Sequence, residues 1–201
     1  MISNNTKKIK AAITAIGAYV PEDFISNKDL EKMVDTNDEW ITARTGIKKR
    51  RILKKKGKAT SYLAINAANN LINKKKLDPN TIDLVIVSTI TPDFHGASTA
   101  PSVASQINAF NAYAFDINAA CSGFLFGMST ATSYIESGRY KKVLLIGADM
   151  MSSIVDYTDR STSILFGDGA GAVLIEPSDN DFGWEDEFLR SDGIGAEWLK
   201  I

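Results

Sequence analysis

The residues best suited to chemistry gather around Cys121, the one cysteine in a chain of 201 residues. It lies in Phe115-Asp116-Ile117-Asn118-Ala119-Ala120-Cys121-Ser122-Gly123-Phe124. A short apolar run gives way to small residues, then the thiol, then a second apolar pattern. That order predicts a strand, a tight turn and a helix, with the sulfur in the helix's first turn. A thiol attacks as its thiolate, and the N–H groups of a helix N-terminus favour an anion. The same N–H groups can hold the oxyanion of an acyl-transfer intermediate. Ala119, Ala120, Ser122 and Gly123 are small enough to admit a substrate carbonyl. Taken alone, the pattern leaves two readings open, a nucleophile or a buried structural cysteine, because free cysteines are often buried. The single histidine, His95, lies upstream in Thr91-Pro92-Asp93-Phe94-His95-Gly96 and reads as a loop residue, not as a base built for the thiol.

The elements that must position the thiol follow from periodicity. Leu84-Val85-Ile86-Val87 and Val143-Leu144-Leu145-Ile146 are continuous apolar runs, suited to strands buried on both faces. Tyr113-Ala114-Phe115 reads as a strand, and residues 121–135 as a helix with Phe124, Leu125, Met128, Thr132 and Ile135 at helical spacing. Tyr62, Ile65, Ala68, Leu71 and Ile72 mark one face of another helix, and residues 101–107 form a third with Pro101 in its first turn. Asn27 reads as a cap for a helix through Val34, and a helix opening at Asp38 should stop at Gly46. Ile13, Ile16 and Val20 suit a buried first strand ended by Pro21. This reading is preferred to a signal peptide, although Lys7, Lys8 and Lys10 precede the apolar stretch. Gly167-Asp168-Gly169-Ala170-Gly171 lacks the lysine of a P-loop and reads as a tight turn between strands Ser163–Phe166 and Ala172–Ile175. Strands alternating with helices predict an α/β fold with a largely parallel sheet.

Bulk properties narrow the function classes. Hydrophobic residues make up 44% of the chain and charged residues 23%, as in a soluble globular domain. A net charge of −1 argues against a dedicated nucleic-acid binder. One cysteine makes no internal disulfide, which suits a reducing compartment. No apolar run is long enough for a membrane span. Charge is uneven: a basic run fills 48–58, whereas Asp179, Asp181, Glu185, Asp186 and Glu187 cluster late. The basic run reads by default as a solvated face, with attraction of phosphates or of an acidic partner as the alternative.

Five motifs occur in a fixed order: Asp38-Glu39-Trp40-Ile41, Arg44-Thr45-Gly46-Ile47, the segment Asp116 to Gly123, Thr158-Asp159-Arg160, and Phe166-Gly167-Asp168-Gly169-Ala170-Gly171-Ala172. Together they resemble β-ketoacyl-acyl-carrier-protein synthase III of the thiolase superfamily, from about Lys8 to the last residue. The resemblance implies a thiolase-like α/β fold, a mixed, largely parallel sheet with helices on both faces. Residues 1–201 would form its N-terminal half, with the C-terminal half absent from this chain. It also implies an acyltransferase of fatty acid synthesis. An acyl group would pass from coenzyme A to Cys121, and malonyl-acyl carrier protein would then decarboxylate and attack the thioester. Trp40 and Arg160 match the residues that hold the coenzyme A adenine, and Thr36 and Arg44 match further coenzyme A contacts.

No metal or cofactor is implied, since coenzyme A enters as a thioester substrate. The implied setting is cytoplasmic and the implied assembly a homodimer, paired near the strand matching Tyr113 to Ile117. A half taken alone should expose an apolar patch and an unpaired sheet edge. The family's histidine and asparagine belong to the second half, and His95 is not that histidine. Ala100 stands where some relatives carry a bulky residue at the acyl pocket, so the resemblance does not fix acyl-chain preference. Two alternatives stand beside this reading: another acyl-CoA condensing enzyme of the superfamily, or a non-catalytic half-fold that binds coenzyme A or a partner.

Overall fold

A computed structural model describes residues 9–178, 180 and 182–197. Lys7, Lys8, Asp179 and Asp181 lie outside the described residues. Five strands form the main sheet: β1 (Lys10–Tyr19), β4 (Leu84–Ser88), β5 (Tyr113–Ile117), β6 (Val143–Met150) and β7 (Asp168–Ser178), in the order β1-β7-β6-β4-β5. β4 pairs parallel with β5 and β6, whereas β7 runs antiparallel to both β6 and β1. Four strands therefore point one way and β7 points against them. A small antiparallel pair, β2 (Phe24–Ser26) and β3 (Lys49–Arg51), stands apart.

Period-two alternation sends successive residues of the central strands to opposite layers. Val85, Val87, Leu144, Ile146 and Leu174 pack against α3 (Thr60–Lys75) and α4 (Thr99–Gln106) through Ala67, Leu71 and Val103. Leu84, Ile86, Val143, Leu145 and Ile175 face α5 (Gly123–Glu136) through Met128, Ala131 and Ile135. Both apolar runs are thus buried on two faces, as their composition predicts.

Several local expectations need correction. Ile13, Ile16 and Val20 are 49%, 66% and 55% exposed, not buried. Two helices cover one face of the sheet. The other carries α5, which packs over the central strands and leaves the outer part of β1 uncovered. A register shift between Ile13 and Ala15 keeps Ile13 and Ile16 opposite Ile175 and Val173, so both fall on that thinly covered face. Ser163–Phe166 is not a strand. Ser163 closes a short helix, α6 (Arg160–Ser163), and Gly169 and Gly171 lie inside β7 instead of in a turn. Gly167 precedes β7 at a close crossing, where an added Cβ would stand 2.9 Å from the Arg51 carbonyl oxygen. The cap of α1 (Asn27–Leu30) is Ser26, not Asn27, and Ser26 and Asp29 bond reciprocally as a capping box.

Candidate active site

The segment carrying Cys121 breaks regular structure just where β5 ends. A single turn of 3-10 helix spans Ala120–Ser122, and α5 begins after it, at Gly123. The thiol therefore sits in the turn ahead of the helix, one step earlier than the sequence pattern implies. It is exposed. Ala120, immediately before it, holds φ at +46°, the left-handed region that costs a non-glycine residue about 1–2 kcal/mol. Strain of this kind persists only where the surrounding structure enforces it.

Close packing does the enforcing. An added Cβ at Gly123 would stand 2.3 Å from Ser88 Oγ, and at Gly127 2.5 Å from Leu145 Cδ1. Helix α5 thus lies directly on β4 and β6 because these positions carry no side chain. Asp116, on β5, ties the neighbouring helix into place: its carboxylate accepts from the Thr99 and Ala100 N–H groups at 2.6 and 2.7 Å. Ser122 makes no side-chain cap, and the first N–H of α5, that of Gly123, donates to the Ala120 carbonyl.

Cys121 lines a cavity of ≈ 420 Å³ together with Ser88, Phe124, Gly147, Asp149 and Asp168. Both carboxylates are tied to the wall. Asp149 Oδ1 accepts from Thr89 Oγ1, the Ile90 N–H and Thr91 Oγ1 at 2.9, 2.9 and 3.1 Å. Asp168 accepts from the Leu53 and Ser152 N–H groups at 2.6 and 2.8 Å and from Ser152 Oγ at 2.7 Å. His95 is exposed on the loop after β4 and is not part of the cavity lining. Among the described residues, neither a histidine nor an asparagine lines this cavity.

A second cluster forms where α2 (Asp38–Thr45) meets α6. Asn37 caps α2 by accepting from the Trp40 N–H at 2.8 Å, and Gly46 ends it at φ +70°. Trp40 lies one turn in. The Arg160 guanidinium sits 4.9 Å from its ring centroid and that of Arg44 sits 4.8 Å away, both within cation–π range. Arg160 also donates to the Asp35 carbonyl at 3.0 Å. Thr36, beside Asp35, has a buried hydroxyl with no hydrogen-bond partner. The four residues matched to coenzyme A contacts are therefore brought together, and a flat guanidinium faces a flat indole. Sequence reasoning missed what lies beneath them. Arg50 is buried within the basic run, and Asn27 is buried below α2. In the same run, Lys49 lies 4.9 Å from the Phe24 ring and Lys55 4.9 Å from the Tyr62 ring.

A mixed, largely parallel α/β sheet with helices on both faces, carrying a cysteine at a strand-to-helix turn, defines a thiolase-like fold. Comparison with known proteins agrees. The family described as 3-oxoacyl-[acyl-carrier-protein (ACP)] synthase III matches residues 115–193. The β-ketoacyl-[acyl-carrier-protein] synthase III of Chlorobium chlorochromatii is 58% identical over 189 residues, covering 94% of this chain and 57% of that protein. β-Ketoacyl-[acyl-carrier-protein] synthase III 2 of Bacteroides thetaiotaomicron is 51% identical over 195 residues, covering 97% and 58%. The solved structure of the Thermus thermophilus synthase III aligns with a TM-score of 0.86 at 40% identity, over 92% of this chain and 57% of that one. The chain belongs to the β-ketoacyl-acyl-carrier-protein synthase III family, and it spans a little under three-fifths of the length of these relatives.

Proposed function

We propose that this chain carries the acyl-accepting part of a β-ketoacyl-acyl-carrier-protein synthase III, an acyltransferase that starts fatty acid synthesis. The observation that carries the reading is the exposed Cys121, held next to a strained residue at the mouth of a ≈ 420 Å³ cavity ahead of α5. In this reading Cys121 Sγ attacks the thioester carbonyl of an acyl-CoA. The Cys121 backbone N–H contributes to holding the oxyanion, and coenzyme A leaves as its thiolate. Trp40 and Arg160 clasp the adenine, with Thr36 and Arg44 beside it. The orphaned Thr36 hydroxyl supports this, since buried polar groups ordinarily find a partner.

Malonyl-acyl carrier protein is the second substrate in this proposal, and its condensation needs the family's histidine and asparagine. In this reading residues 1–201 make up the N-terminal half of the fold. The proposed assembly is a homodimer in the cytoplasm. β5 is an edge strand of the sheet, and Phe110 and Tyr113 beside it are 68% and 57% exposed, a surface suited to pairing. Among the described residues no helix is long and apolar enough to cross a membrane.

Intact mass spectrometry after incubation with acetyl-CoA tests the first step. The expected result is one acetyl adduct on the chain and none on Cys121→Ala. An adduct that persists in Cys121→Ala, or no adduct on the unaltered chain, would sink the assignment.

A further inference from the structure

The cluster around Trp40 rests on a buried cation that forms no ion pair among the described residues. This cation, Arg50, is 3% exposed. Burying a guanidinium without a counter-ion is costly, and loss of water pulls its pKa down, an effect that Tyr157 opposes. Its hydrogen bonds offset that cost. Nε and Nη2 both donate to the Ile164 carbonyl, at 2.8 and 2.6 Å, and Nη1 donates to Asn27 Oδ1. Asn27, 1% exposed, passes the connection on. Its Nδ2 donates to Asp38 Oδ1 at 2.6 Å and to the Ile47 carbonyl at 2.9 Å.

These bonds join two particular elements. Asp38 opens α2, which carries Trp40 and Arg44, and Ile164 follows as the C-cap of α6, which opens with Arg160. One polar chain, Asp38–Asn27–Arg50–Ile164, therefore links the two helices, running from exposed Asp38 through buried Asn27 and Arg50. The 4.9 Å contact between Arg160 and Trp40 closes the ring. Leu30, Ile41 and Ile164 fill the space between and bury apolar area. Such contact is non-directional and sets no fixed spacing. A planar guanidinium fork fixes both distance and orientation.

We propose that Arg50 is a positioning residue for the Trp40–Arg160 pair. Its fork sets the separation of α2 and α6, and so the spacing of the two flat groups that take the nucleobase. The proposal rests on the reading of Trp40 and Arg160 as the adenine clasp.

The test uses 3′-phospho-ADP, the nucleotide part of coenzyme A, titrated calorimetrically into the 201-residue chain. Arg50→Met, Arg50→Lys and Trp40→Ala are compared with the unaltered chain. Alkylation of Cys121 by iodoacetamide reports on the rest of the site. Arg50→Met should lower nucleotide affinity about tenfold, comparable with Trp40→Ala, while the alkylation rate stays unchanged. Arg50→Lys keeps the charge and one bond, and it should restore part of that loss. A folded Arg50→Met that binds the nucleotide as the unaltered chain does overturns the proposal, provided that Trp40→Ala weakens binding. Parallel loss of nucleotide affinity and alkylation, or unfolding of both Arg50 variants, also overturns it, in favour of a purely structural role. If Trp40→Ala leaves binding unchanged, or the unaltered chain does not bind, the adenine reading itself fails and takes the proposal with it.

Discussion

The turn that carries Cys121 and the clasp formed by Trp40 and Arg160 hold their functional groups by opposite means. Around Cys121 the work is done by missing side chains. Gly123 and Gly127 let α5 press onto the sheet, and Ala120 takes a backbone conformation that its side chain disfavours. Around Trp40 the work is done by polar side chains: Asn37 caps α2, while Asn27 and Arg50 bridge α2 to α6. A binding clasp can be built from two short helices, because it needs only fixed flat surfaces. A nucleophile that works with groups delivered from elsewhere needs instead a fixed backbone and open space. The comparison therefore predicts two independently breakable parts.

The largest effect should come from disturbing the packing under Cys121. In Gly127→Ala the new methyl would stand 2.5 Å from Cδ1 of Leu145, which is fully buried, so Leu145 must repack or α5 must shift on β6. Overpacking of this kind costs about 1–3 kcal/mol. The displaced turn should slow acetyl transfer to Cys121 about a hundredfold, the penalty typical of misplacement near 1 Å. Nucleotide affinity should not change. Timed mass spectra with acetyl-CoA, run beside calorimetry with 3′-phospho-ADP, measure both. Equal losses in the two would show that the parts are one cooperative unit.

The converse experiment is Trp40→Ala. Removing the indole deletes the surface against which Arg160 and Arg44 lie. Coenzyme A affinity should fall about tenfold. Iodoacetamide should still alkylate Cys121 at the original rate, because no residue of the clasp lines its cavity. A slowed alkylation would contradict the division.

The same contrast explains what the sequence disclosed. The Cys121 turn was legible because its cause is local: strand, small residues, thiol and helix follow one another within ten positions. β4 and β6 were legible because burial on two faces leaves an unbroken apolar run. Arg50 was not, since its partners lie 23 and 114 residues away and its neighbours in sequence, Lys48, Lys49 and Arg51, carry the same charge. Nothing in Lys48-Lys49-Arg50-Arg51 marks which cation turns inward. The exposure of Ile13 and Ile16 was hidden for a related reason, because an apolar residue does not say whether a helix reaches over it. Gly169 and Gly171 misled in the other direction. Their composition suggested a turn, yet strand pairing with Ala18 and β6 keeps both in β7.

The smallest effect concerns the cap of α6, and it has a defined sign. Asp159 accepts from the Ser161 N–H at 2.8 Å and from the Ser161 and Thr162 hydroxyls. The Ser161 hydroxyl, then its N–H, then the Thr162 hydroxyl hold this carboxyl below its ordinary pKa. A folded-state pKa below the unfolded value, about 3.9, makes the ionised cap's contribution fully present above that pH. It is lost as pH falls through the lowered folded value. Helix α6 should therefore keep its cap throughout the neutral and mildly acidic range. At neutral pH Asp159→Ala should weaken 3′-phospho-ADP binding no more than about threefold, because the charge at a helix start is solvent-screened. Asp159→Asn keeps an acceptor oxygen and should fall between the two. Comparing thermal unfolding of the unaltered chain and Asp159→Asn across pH isolates the charge. The unaltered chain's advantage should be full at neutrality and vanish once the carboxyl is protonated. An advantage that persisted or grew in acid would mean that α6 is held by the Arg50 fork at Ile164 and not by its cap.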